Sequence, residues 1–145
     1  MSGAGERRRG REAALQLLYQ IEFTGDGSRG VREQYWSDRD EAEADPASRE
    51  LAERIVAGVE AGRTTLDERI ETAADNWQID RLSRLDLNLL RMSVWELLEA
   101  PEVPAEVVMD EAVEIARRYG GDGSASFVNG VLDRIARAEG RLGAG

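Results

Sequence analysis

Between Leu82 and Leu98 the chain carries Leu82, Leu85, Leu87, Leu89, Leu90, Met92, Val94, Trp95, Leu97 and Leu98, a density that leaves no wide polar face on a helix. A surface helix keeps one apolar stripe, whereas a helix that is apolar nearly all round must be covered by others. The segment therefore predicts a central, buried helix, capped at its start by Asp80 and ended before Pro101. Asp86 falls in the middle of it. A carboxylate left unpaired in such surroundings costs about 3–5 kcal/mol. It needs an Arg partner, either internal, with Arg81 and Arg91 nearby in sequence, or brought by another molecule.

The rest of the chain repeats the helical period without a sustained strand-like alternation. Ala13, Ala14, Leu17, Leu18 and Ile21 mark a first helix, and the glycines of 25–30 a flexible connection. A short helical stretch from Val31 to Ser37 offers Tyr35 and Trp36 to the core, and the acidic residues 38–45 read as a solvated linker. Pro46 suits a helix start, with Leu51, Ile55, Val56 and Val59 on one face as far as Gly62. Thr65-Leu66-Asp67-Glu68 fits a capping box that opens another helix through Leu66, Ile70, Ala74 and Trp77. Beyond the central helix, Pro104 introduces a stripe of Val108, Ala112, Ile115 and Tyr119 that stops at Gly120-Gly121. Phe127, Val128, Val131, Leu132 and Ile135 form the last helix. Asn129-Gly130 is ordinarily a hairpin turn, but helical spacing runs straight through it, which makes Gly130 a candidate for close helix packing. The expectation is an all-α chain of about seven helices. Its 145 residues, 41% hydrophobic, suffice for one compact domain.

Much chemistry is excluded by inventory. There is no Cys, no His and no Lys, so nucleophile–His pairs, zinc sites and Walker-type loops have no residues to build them. Gly120-Gly121-Asp122-Gly123-Ser124 resembles a phosphate loop only superficially, since it follows a helix and lacks the third glycine of the dinucleotide fingerprint. A helix stop followed by a helix start explains it better. Glu111 and Glu114 share a helix surface without clefted partners. No segment has membrane-spanning length and no hydrophobic stretch follows the N-terminal arginines, so a soluble cytoplasmic protein is expected.

Charge is distributed unevenly. Residues 1–12 hold four Arg against two acids, while the remainder holds fifteen Arg against twenty-seven acids, within a net charge of −10. Arg7, Arg8, Arg9 and Arg11 therefore form a local cationic patch beside a helix, suited to phosphate through the planar guanidinium fork. Such a terminus also serves plain solubility. With a pI near 4.6 most of the surface repels a polyanion, so any nucleic-acid contact must be local. Phe127, at a helix start after a Gly/Ser-rich loop, is either core or a base-stacking platform.

Taken together, several runs of residues resemble the NusB family of bacterial transcription antitermination factors. They are Arg7-Arg8-Arg9-Gly10-Arg11-Glu12 with Ala14, Leu15, Leu18 and Tyr19; Trp77, Arg81-Leu82, Asp86, Leu89-Leu90-Arg91 and Glu96-Leu97; Pro104, Val107 and Glu111 to Ala116; and Ser126-Phe127-Val128-Asn129-Gly130-Val131-Leu132-Asp133. The resemblance covers nearly the whole chain apart from residues 25–45. It implies two small helical bundles, here 6–62 and 63–145, with no enzymatic activity, cofactor or metal. It further implies a partner, the ribosomal protein NusE, with which the boxA element of nascent ribosomal RNA is bound within the antitermination complex of RNA polymerase and other Nus factors.

Carried over by position, Arg7, Arg8, Arg9 and Arg11, chiefly Arg8 and Arg11, would contact RNA, with Asp122, Ser124 and Phe127 completing the surface. Tyr19 and Asp86 match positions that touch NusE, Asp86 through an Arg of the partner. Two residues depart from the family pattern: Gly10 stands where Ala is usual, at a helix cost of about 0.5–1 kcal/mol, and Gly123 where Asp is frequent. Two other readings share these features. One is the NusB-like domain of ribosomal-RNA cytosine methyltransferases, which would need a long catalytic region beyond Gly145; the other is a helical protein-interaction module without RNA contact.

Overall fold

A computed structural model of the chain describes residues 4–24, 28–40, 45–75 and 79–142. They form six α-helices, α1 (Ala4–Thr24), α2 (Ser28–Ser37), α3 (Pro46–Ala73), α4 (Arg84–Glu99), α5 (Ala105–Tyr119) and α6 (Ser124–Ala138), with a 3-10 turn at Ile79–Arg81 before α4. Among the described residues there is no strand. Trp77, the glycine connection at 25–27 and the acidic residues 41–44 lie outside them. The chain divides into two compact units, Met1–Ala57 and Gly58–Gly145, with the division inside α3.

In the first unit α1 buries Ala13, Ala14, Leu17 and Leu18, and α2 buries Tyr35 and Trp36, the pair expected in the core. Both aromatics also satisfy their polar ends, as buried Tyr and Trp must. The Tyr35 hydroxyl donates to Gln16 Oε1 at 2.7 Å, and Trp36 Nε1 donates to Glu53 Oε2 at 2.8 Å. Gly10 is buried where α1 crosses α3. A Cβ there would lie 3.0 Å from the Ser48 carbonyl oxygen and 3.1 Å from Leu51 Cβ. The departure from Ala is thus matched by a close approach of the two helices, which offsets the helix-propensity cost.

Helix α3 corrects the expected break near Gly62. It runs 28 residues without interruption, and Thr65-Leu66-Asp67-Glu68 is mid-helix rather than a capping box. Val59, Leu66, Ile70 and Ala73, all buried, hold one face across Gly62. Keeping that face continuous outweighs the roughly 1 kcal/mol cost of one interior glycine. Asp67 serves a different purpose: its carboxylate receives Arg91 Nε at 2.7 Å and Nη2 at 2.9 Å.

Helix α4 is buried from Leu87 to Leu97 at every position but Trp95, as its apolar circumference requires, and it packs against both α5 and α6. Its cap is Ser83, not Asp80, which sits in the preceding 3-10 turn. Ser83 Oγ accepts the Asp86 amide at 3.1 Å. Asp86 is consequently in the first turn and not in the middle of the helix, a position where the orphan amides favour a carboxylate by about 0.3–1 kcal/mol. The far end of α4 is tied down by Arg141, whose guanidinium donates to the carbonyls of Leu97 and Val103.

Two smaller expectations are also corrected. Tyr119 is exposed, because it lies at the last residue of α5, past Ile115 and Ala116, where the covered stripe ends. Gly130 is exposed with open space where a Cβ would be, since Val128, Val131 and Leu132 take the buried face of α6 and turn it to solvent. The helix itself passes through Asn129-Gly130 unbroken, as its spacing demanded.

Candidate nucleic-acid interface

Helix α1 begins at Ala4, so all four arginines are helical and their directions are set by the 100° step between residues. Arg7 is exposed and Arg8 half-buried, with Arg8 already engaged within the protein. Arg9 is exposed and directs Nε and Nη2 to a single oxygen, Asp45 Oδ1, each at 3.2 Å. Arg11 is 4% exposed and engaged. Of the two arginines that the resemblance makes chief RNA contacts, Arg11 is thus buried and Arg8 half-buried.

Asp45 is held in place by α3. Its Oδ2 accepts the Ser48 amide at 3.0 Å, three residues on, which is the geometry of an N-cap with Pro46 at the first helical position. The buried Ser48 hydroxyl places its one proton between Asp45 Oδ1 at 2.7 Å and the Glu6 carbonyl of α1 at 2.9 Å. The hydroxyl and amide of Ser48 hold the Asp45 carboxyl below its ordinary value; partial burial opposes them and the Arg9 guanidinium assists.

In the second unit, α5 stops at Gly120 and α6 starts after Gly123, which takes a left-handed backbone at φ 85°. That conformation strains any residue with a Cβ, so Gly123 is the turn's requirement rather than a lost acid. Asp122 is exposed beside it, Ser124 is buried as the first residue of α6, and Phe127 is half-buried one turn further on. Phe127 is therefore not a core residue like Val128, yet it is not bare either.

Of the two residues expected at the protein partner, one is exposed and the other half-buried. Tyr19 is 51% exposed on α1 and stacks on Phe23, itself 79% exposed, with ring centroids 6.3 Å apart and planes 14° from parallel. Asp86 is half-buried, and no Arg among the described residues pairs with it. Arg91 is committed to Asp67, and Asp86 Oδ1 is a buried atom without a hydrogen-bond partner. Phe23, Asp45 and Ser48 were missed in the sequence. Asp-Pro directly before an apolar helical run signals an N-cap, and Phe23 at four residues from Tyr19 shares its face.

No helix among the described residues is long and apolar enough to cross a membrane. The NusB family model matches residues 8–137. The transcription antitermination protein NusB of Sorangium cellulosum is 46% identical, over 95% of this chain and 96% of its own. Among solved structures, NusB of T. maritima superposes with a TM-score of 0.81 at 37% identity, covering 94% of this chain and 93% of that one. A NusB solved with NusE and double-stranded RNA shares the fold at a TM-score of 0.78 and 24% identity, over 94% of this chain and 99% of that one. With a family model matched from the first arginines to the last helix and a relative of this identity along nearly its full length, the chain belongs to the NusB family.

Proposed function

We propose that the chain is a transcription antitermination factor: a noncatalytic, cytoplasmic adaptor that binds boxA RNA of nascent ribosomal transcripts together with ribosomal protein NusE, in the complex of RNA polymerase with other Nus factors. The observation that carries this reading is the arginine-bearing first turns of α1, helical from Ala4 and presenting Arg7 and Arg9 on an otherwise acidic molecule. Arg7 and Arg8 supply phosphate contacts, Arg9 does so in exchange for Asp45, and Arg11 anchors the helix that carries them. Asp122, Ser124 and Phe127 contribute hydrogen bonding and base stacking, which give sequence preference that phosphate contacts lack. Tyr19 and Asp86 face NusE, and the half-buried Asp86 carboxylate, which no Arg among the described residues pairs with, is suited to an incoming guanidinium.

The test is fluorescence anisotropy with a labelled single-stranded boxA RNA, alone and with NusE. Arg7→Ala with Arg8→Ala should weaken binding in both settings and flatten its salt dependence by about 0.7 in slope per lost phosphate contact. An unchanged affinity and slope would remove the arginines from the RNA site.

A further inference from the structure

Asp45 is already a partner for Arg9, and the way it is built suggests what happens when RNA arrives. Its carboxylate is fixed by α3, not by the arginine: Oδ2 is taken by the Ser48 amide and Oδ1 by the Ser48 hydroxyl at 2.7 Å. Removing Arg9 leaves both bonds in place. The arginine is held more loosely. Its Nε and Nη2, the two donors that chelate an oxyanion, converge on one oxygen at 3.2 Å each, longer than the roughly 2.7–2.9 Å of a strong charge-assisted bond. Its side chain remains 47% exposed against 22% for Asp45, so the fork can be reached from solvent while the carboxylate stays seated.

From this geometry we infer that Asp45 is a built-in competitor for the phosphate at Arg9, a carboxylate occupying the place of an RNA phosphodiester and lowering affinity until one displaces it. A phosphodiester offers two oxygens to the same edge, so the exchange replaces a one-oxygen contact with a two-oxygen one. After it, Asp45 remains beside the RNA with Ser48 and the start of α3 to compensate its charge. Arg9 therefore discriminates against weak or singly presented anions, and Asp45 sets that threshold. Exposed pairs of this kind are weak, so the expected penalty is about two- to fivefold in affinity.

This inference rests on the reading of the N-terminal arginines as phosphate contacts, and a double-mutant cycle separates the two. Asn caps a helix as well as Asp does, so Asp45→Asn removes the charge and keeps α3. With the full chain and a labelled single-stranded boxA RNA, Asp45→Asn should tighten binding about two- to fivefold. That gain should vanish in an Arg9→Ala background. An equal gain in that background would mean general relief of negative charge and overturn the competitor. So would no gain from Asp45→Asn while Arg9→Ala weakens binding. If Arg9→Ala itself leaves affinity unchanged, the phosphate role of Arg9 fails first.

Discussion

The indole of Trp95 lies directly on the backbone of Gly58, so close that a Cβ added to Gly58 would sit 2.0 Å from Nε1 and 2.3 Å from Cε2. A large ring on α4 occupies the space a side chain on α3 would need. Gly58→Ala gains about 1 kcal/mol of helix propensity, but forces a rigid ring off its seat. Overpacking of this kind costs about 1–3 kcal/mol, sometimes more, and this approach is at the severe end. The expected net result is a loss of about 2 kcal/mol, measured as a lower urea midpoint at unchanged slope. Trp95→Leu in the same chain should make Gly58→Ala nearly harmless. If Gly58→Ala is stabilising on its own, the contact is not as described.

Arg91 and Asp67 form a two-bond ion pair between α4 and α3, with a side chain 6% exposed on one side and 22% on the other. The fork meets the carboxylate through two bonds of 2.7 Å and 2.9 Å. Breaking such a pair from one side leaves a buried charge under-compensated, at about 3 kcal/mol. Asp67→Ala should cost about that much in chemical denaturation. Arg91→Met should cost less, because the Asp67 carboxylate is nearer water and Met refills the apolar volume. The reverse order would place the electrostatic burden on Asp67.

The difference between these two contacts explains what could be read in advance. The buried α4 was legible because ten apolar residues in one segment leave only one way to be covered. The fate of Asp86 was not, because it depends on where the helix begins, and a Ser three residues ahead of it outcompeted the Asp six ahead. The continuous α3 was misread for a related reason: Gly62 and the Thr65 capping pattern are local signals, while the apolar face that overrides them is cooperative over seven turns. At the candidate interface, composition located the arginines but not their exposure. Arg7 and Arg11 differ only by which neighbours lie over one turn of α1, and that is a tertiary fact.

Asp45 also makes acid stability testable. Its folded carboxyl lies below the ordinary value of 3.8 because Ser48 and Arg9 favour the ionised form. A depressed folded value means the contribution is complete above the unfolded value and is lost as pH falls through the folded one. Asp45→Ala should therefore be less stable than the parent by about 1 kcal/mol at neutral pH, the worth of an N-cap. The gap should narrow as pH drops below 3.8. Thermal denaturation of both proteins across pH 7 to about 3 gives the comparison. A gap that stays constant into acid would mean that the cap, not the charge, carries the whole effect.

The stacked Tyr19 and Phe23 predict a separation of partner binding from folding. Phe23 is largely in water and Tyr19 about half so, and Tyr19→Ala with Phe23→Ala should cost at most about 1 kcal/mol of stability. Aromatic anchors at a protein interface are worth about 2 kcal/mol or more each when covered. The double variant should keep its helicity and a cooperative melt yet bind NusE at least about tenfold more weakly in calorimetry, with binding of RNA alone unchanged. Asp86→Lys should do the same through charge, since no internal Arg among the described residues depends on that carboxylate. Its helix-start position limits the folding cost to about 1 kcal/mol. Should Asp86→Lys unfold the chain, the carboxylate has an internal duty, and the partner surface shrinks to the two rings. Should the ring variant bind NusE like the parent, α1 presents that aromatic face to something else.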